Sequence, residues 1–190
     1  MAGSPAMSLQ YALEQNGLIV GETVTLDLTV AYNLTAGAFE GGLGDYVTMF
    51  EPVASDFVAA GKGYYIASVG EESGEVPFTA FMANRSYLDK YPEKAQKFLN
   101  AIVRGYNYLM AQPTADVVAS LIPSFTGSST TTLTNAIISY KSIDAWCNTP
   151  IMNEDAFNRL LDIMTNAGEL TTTVAFESIV DNSIAEQVLA

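Results

Sequence analysis

The residues in this sequence that could do chemistry sit in Gly41-Gly42-Leu43-Gly44-Asp45-Tyr46-Val47-Thr48-Met49-Phe50-Glu51-Pro52, where an apolar and aromatic run ends in a carboxylate beside a proline. Glu51 could accept hydrogen bonds from an amino group or a cation. It would oppose a sulfonate or nitrate, because two anions in one cleft cost free energy. Phe50, Tyr46 and Tyr32 could stack on a flat ring. Plainer readings stand beside these. Glu51 is also the acid that a helix dipole favours near its amino end, and apolar strand residues are often core. Asp45 after Gly44 reads as a structural carboxylate bonded to nearby backbone N–H groups.

What the chain lacks narrows the chemistry further. It has no histidine, which removes Ser-His-Asp and Cys-His catalysis and histidine-ligated zinc. Cys147 is the single cysteine, so no internal disulfide and no thiolate metal cluster can form. No twelve-residue calcium loop appears. A binding role without cofactor or metal is therefore expected, and no catalytic residue is assigned.

The 190 residues are enough for one large domain or two small ones, with 49% apolar and 15% charged residues, as in a folded chain. The formal charge of −13 argues against nucleic acid or an anionic lipid surface as a partner. Six of the eight basic residues fall between Lys62 and Arg104, which reads as a solvated basic face. No apolar run reaches the length of a membrane span. The start, Met-Ala-Gly-Ser-Pro, has neither a basic nor an apolar signal region, so no secretory signal is expected in this chain.

Ser4-Pro5 reads as the cap and first position of a helix running to Glu14, with Asn16-Gly17 as its stop. Thr23 to Val30 alternates as a strand would. Leu34 to Phe39 reads as a short helix. Tyr46–Phe50, Gly63–Val69 and Phe78–Ala83 read as further strands, with a helix from Val53 to Ala60 and an acidic loop from Gly70 to Pro77. This alternation predicts βαβ units and a largely parallel sheet, with Glu51 at the carboxyl end of a strand, where such sheets place ligands. From Ser86 onward the pattern is helical. Pro92 opens a long helix with an apolar stripe, Thr114 caps Ala115–Ile122, Thr130–Tyr140 follows, Asn153 caps Glu154–Ala167, and Phe176–Leu189 closes the chain. Trp146 and Cys147 lie between helices and read as packing.

Taken in order, these features resemble the substrate-binding proteins of ABC importers of the nitrate/sulfonate/taurine and thiamine-pyrimidine type. The resemblance rests on the Gly3-Ser4 helix start, the Gly41 to Pro52 stretch, Gly61-Lys62-Gly63-Tyr64 and Gly74-Glu75-Val76-Pro77-Phe78-Thr79. It continues in Tyr87-Leu88, Tyr91-Pro92-Glu93, Asp162-Ile163-Met164 and Ala167-Gly168-Glu169-Leu170. It implies an α/β fold: a type II periplasmic-binding-protein-like lobe with a mostly parallel sheet over residues 1–85, followed by an all-α segment over 86–190. Members of that family have two lobes with the ligand between them, so the chain is expected to be the second lobe and its returning helices. The resemblance also places the Gly-Ser helix start at the ligand cleft and the Thr79 region near the hinge. For Ser4, a ready anion site and a simple cap on a frayed end remain equally open, and the Gly74 to Pro77 stretch also fits an ordinary acidic loop.

The expected ligand-binding residues are thus Ser4, Met7, Tyr32, Tyr46, Phe50, Glu51 and Thr79. The leading reading is solute capture for an importer, with a small ligand and an ABC permease as partners and an extracytoplasmic location implied by the resemblance. Within it, an aminated heteroaromatic such as a thiamine-pyrimidine precursor fits Glu51 better than a sulfonate. An alternative is an interaction or regulatory module that forms a homodimer or pairs with a separate first lobe. A thiamine-pyrimidine synthase of the same fold family needs a histidine and a cysteine-rich motif, and this chain has neither.

Overall fold

The computed structural model describes residues 3–189. Among them the chain is built from helices joined by irregular segments, and the expected parallel sheet is not formed. The one β-type pairing is an isolated bridge between Val20 and Val24. The helices are α1 (Ser4–Gln15), α2 (Thr35–Glu40), α3 (Val53–Ala59), α4 (Val69–Ser73), α5 (Arg85–Lys90) and α6 (Pro92–Ala111). They continue with α7 (Thr114–Leu121), α8 (Thr130–Ser142), α9 (Glu154–Asn166), α10 (Phe176–Ile179) and α11 (Ser183–Leu189).

The α/β expectation fails for a physical reason visible in the segments read as strands. Thr25–Thr29, Tyr46–Phe50, Gly63–Ser68 and the chain around Phe78–Ala83 run without a ladder partner. Joining parallel neighbours takes a crossover of a dozen or more residues. The stretch between the third and fourth segments is shorter than that, and α4 occupies part of it. α4 itself arises in what reads as a loop, because the Ser68 side chain accepts the Glu71 N–H and caps it. Without a sheet face to bury them, Tyr64, Ile66 and Met82 are 92%, 72% and 95% exposed.

Helix limits follow local chemistry more closely. Gly17 stops α1 with φ +76, and Gly168 follows α9 with φ +71, both in the left-handed region where a side chain is strained. Asn153 caps α9 by accepting the Ala156 N–H at 3.1 Å. At α1 the cap is Gly3, whose carbonyl accepts from Ala6 and Met7; Ser4 is the first helical residue and its side chain makes no cap bond. Pro113, in place of Thr114, stands at the cap of α7. The single closing helix divides at Val180–Asn182, where the Asn182 amide accepts from Met152 N–H and donates to Met152 carbonyl, each at 3.0 Å. Asp181 then accepts the Ser183 N–H to start α11.

Two packing groups result. α1 lies on α4 and α9, burying Met7, Ala12 and Ile163. α7 lies on α8 around Val117, Val118, Leu133 and Ile137, with Leu109 of α6 and Trp146 packed against them. α6 carries the expected apolar stripe but buries none of its residues fully; α11 lies along it, and Phe81 meets its Phe98 edge-on with ring centres 4.8 Å apart. Replacing Ile137, 4% exposed in the α7–α8 core, by alanine should destabilise the chain by about 2–5 kcal/mol in denaturant unfolding. A loss under about 1 kcal/mol would show that this cluster is not the chain's core.

Candidate ligand-binding site

α2 ends in a tight turn. Gly41 N–H returns to Gly37 carbonyl and Leu43 N–H to Ala38 carbonyl, while Gly42 and Gly44 take φ values of +89 and +77. That geometry needs glycine. It sends the chain back past the short 3-10 turn Tyr32–Leu34, so that Phe50 packs on Tyr32 with ring centres 5.3 Å apart. Phe78 also packs on Phe50, 5.6 Å away and nearly edge-on.

Phe78 is held there from the far end of the chain. Arg159 of α9 donates to the Glu75 carbonyl at 2.6 Å and lies over Gly74, where an added Cβ would stand 3.2 Å from its Nε. Gly74 also has φ +79, so both space and backbone select against any side chain there.

Glu51 follows Phe50 directly. Its Oε2 accepts the Ser55 N–H at 3.0 Å, as an acid at a helix start does, and leaves Oε1 without a protein partner among the described residues. Its own backbone N–H donates to Tyr140 Oη at 3.3 Å, across 89 positions of sequence. Tyr140 meets Trp146 edge-on at 5.4 Å, and Trp146 rests on the α7–α8 core. One helical turn past Pro52, Asp56 accepts a short hydrogen bond from the buried Thr132 hydroxyl of α8. Ser129 accepts the Thr132 N–H at 3.0 Å and shares a hydrogen bond with its hydroxyl.

The wall is thus Tyr32, Phe50, Phe78, Glu51 and Tyr140, backed by Trp146. Burial raises the Tyr32 phenol above its ordinary value, the Tyr140 phenol adds to that, and the Phe50 backbone N–H opposes it. Burial likewise raises Tyr140, against the lowering effect of the Glu51 N–H and with a further push from the Glu51 charge. Both phenols are therefore neutral donors at physiological pH. Rings, two hydroxyls and a carboxylate can hold a flat polar ring that offers hydrogen; no basic group is among them.

Of the residues anticipated from sequence, the structure gathers Tyr32, Phe50 and Glu51. Thr79 follows Phe78 in the chain and is exposed. Tyr46 lies four residues before Phe50 with its ring 79% exposed. Ser4 is on the exposed first turn of α1, and Met7, 7% exposed, is packed within the α1, α4 and α9 group. Sequence reading missed Tyr140, which appears only as the last residue of an expected helix. Trp146, read as packing, is indeed packed, but it also supports Tyr140.

The model of the NMT1-like family matches residues 1–123. Over 186 residues the chain is 34% identical to "Putative binding protein YtlA" of Bacillus subtilis (strain 168), covering 98% of this chain and 56% of that protein. The chain thus spans little more than half the length of this curated relative. No solved structure matches it. With the family model covering well over half of its residues, the chain belongs to the NMT1-like family.

Proposed function

We propose that the chain is solute-binding material of an ABC-type importer, and that the Tyr32–Phe50–Glu51–Tyr140 wall takes a small, flat, aminated ring. The observation that carries this is the Glu51 carboxylate beside Phe50, with Oε2 held by the Ser55 N–H, Oε1 without a protein partner among the described residues, and its backbone N–H anchored on Tyr140 Oη. Rings supply stacking area, and a carboxylate supplies a strong acceptor for N–H donors. An amino-pyrimidine of the thiamine-precursor kind meets both demands, whereas a sulfonate or nitrate would face Glu51 with like charge. Family membership and the word "binding" in the relative's name support a solute-binding role. The proposed setting is extracytoplasmic, with a permease as protein partner. The reading asks no bond chemistry of the chain.

A second reading draws on one specific observation: Tyr64, Tyr65, Ile66, Phe81 and Met82 are all more than half exposed. Surface of that kind marks association sites, so a homodimer or pairing with a separate lobe is the alternative role.

The binding proposal predicts that Glu51→Gln weakens 4-amino-2-methylpyrimidine about 10-fold or more in calorimetry, the loss of a charge-assisted hydrogen bond. Unchanged affinity would remove Glu51 from the ligand contacts and this ligand class with it. For the alternative, size-exclusion with light scattering should give a mass near 40 kDa, twice the 20.3 kDa chain, if two copies pair. A mass that stays at one chain up to high concentration rejects the homodimer.

A further inference from the structure

Phe50 and Phe78 meet with ring centres 5.6 Å apart, yet different parts of the chain hold them. Phe50 precedes Glu51, whose N–H is anchored on Tyr140 of α8, and α8 packs with α3 and α7. Phe78 follows Gly74 and Glu75, which Arg159 of α9 holds, and α9 packs with α1 and α10. The contact between the two rings therefore joins one helical group to the other. The link from the gripped carbonyl to the Phe78 ring is short and stiff. Only Val76 and Pro77 separate Glu75 from Phe78. Pro77 fixes its own φ and keeps Val76 out of the helical region, so a shift at Glu75 carries over to Phe78. The grip itself is specific. Arg159 Nη1 donates to the Glu75 carbonyl at 2.6 Å, while its Nε, Cδ and Cζ lie 3.2, 3.3 and 3.4 Å from where a Cβ on Gly74 would stand. A planar guanidinium on a long stem makes both contacts at once.

We infer that Arg159 is a positioning residue of the ligand site, setting the Phe78 half of the wall against the Phe50 half through Gly74 and Glu75. The inference rests on the proposed ligand wall and makes its affinity depend on α9, an element that contributes no group to the ligand. A flat ring stacked beside Phe50 meets Phe78 as well, and an aromatic contact holds only while the second ring stays in place. Recognition groups on irregular chain need a supporting residue whose own position is locked. For Glu51 that support is Tyr140; for Phe78 it is Arg159. An arginine that acts this way influences binding only while Phe78 is present, and that dependence separates positioning from direct contact and from general stability.

The test is a double-mutant cycle on the full chain, titrated with 4-amino-2-methylpyrimidine in calorimetry. Phe78→Ala should weaken binding about fivefold, the worth of one aromatic contact. Arg159→Ala should weaken it by a similar factor. The double variant should then bind within about twofold of Phe78→Ala alone, because the arginine has nothing left to position. Losses that multiply, to about 25-fold in the double variant, would mean that Arg159 acts independently of Phe78 and would overturn the inference. Unchanged affinity in either single variant, with Glu51→Gln still impaired, would also overturn it and leave the Glu51 reading standing. A wild-type chain that does not bind the pyrimidine overturns both. Should Arg159→Ala fail to fold, Arg159→Met takes its place in the cycle with the same outcomes, since it keeps an unbranched stem beside Gly74 and removes the donor.

Discussion

The junction between the start of α3 and α8 is the constraint on which the proposed ligand wall depends. Two bonds make it: Glu51 N–H to Tyr140 Oη, and the Thr132 hydroxyl to the Asp56 carboxylate. Both cross more than 70 positions of sequence, so the loop that carries Phe50 and Glu51 is tied to the carboxy-terminal helices as well as to its own neighbours. α8 is firmly set in turn, with Thr132, Leu133, Ala136 and Ile137 buried and Ser129 capping its start. A rigid helix thereby fixes a polar group on an otherwise irregular segment, as precise recognition requires. Arg159 does the same for Phe78 by gripping the Glu75 carbonyl.

The helical outcome changes what the apolar segments do. A sheet would have buried Tyr64 to Ile66 and Phe78 to Met82 on its faces. In the structure those residues act as single contacts: Phe78 on Phe50, Phe81 on Phe98 of α6. The others stay in water, so the chain's stability rests on two helical groups, α1–α4–α9 and α7–α8. The proposed ligand wall lies where irregular chain meets the second of these groups.

Much of the helical framework was legible in the sequence because its signals are local. Asn153 before an acidic turn, Gly17 and Gly168 at helix ends, and Pro92 at the head of a long apolar stripe each act through the nearest backbone. Their structural counterparts appear where the residue types place them. The sheet was misread because short apolar runs are alike whether they pair in a ladder or lie as single contacts, and pairing is decided by distant chain. Glu51, Phe50 and Tyr32 were legible as candidates from type alone. Tyr140 was not, since its partner lies 89 positions away and no local pattern marks it. The closing helix was overextended because Asn182's two bonds to Met152 are equally nonlocal.

Trp146 offers the most direct measurement of the central claim, that Glu51 and Tyr140 form one wall of a ligand site. It is the chain's single tryptophan and packs on the Tyr140 ring, so its emission reports on the surroundings of that wall. Titration with 4-amino-2-methylpyrimidine should change the Trp146 fluorescence saturably, with the same midpoint as calorimetric binding. Calorimetric binding that leaves the emission unchanged would place the ligand elsewhere and contradict the account.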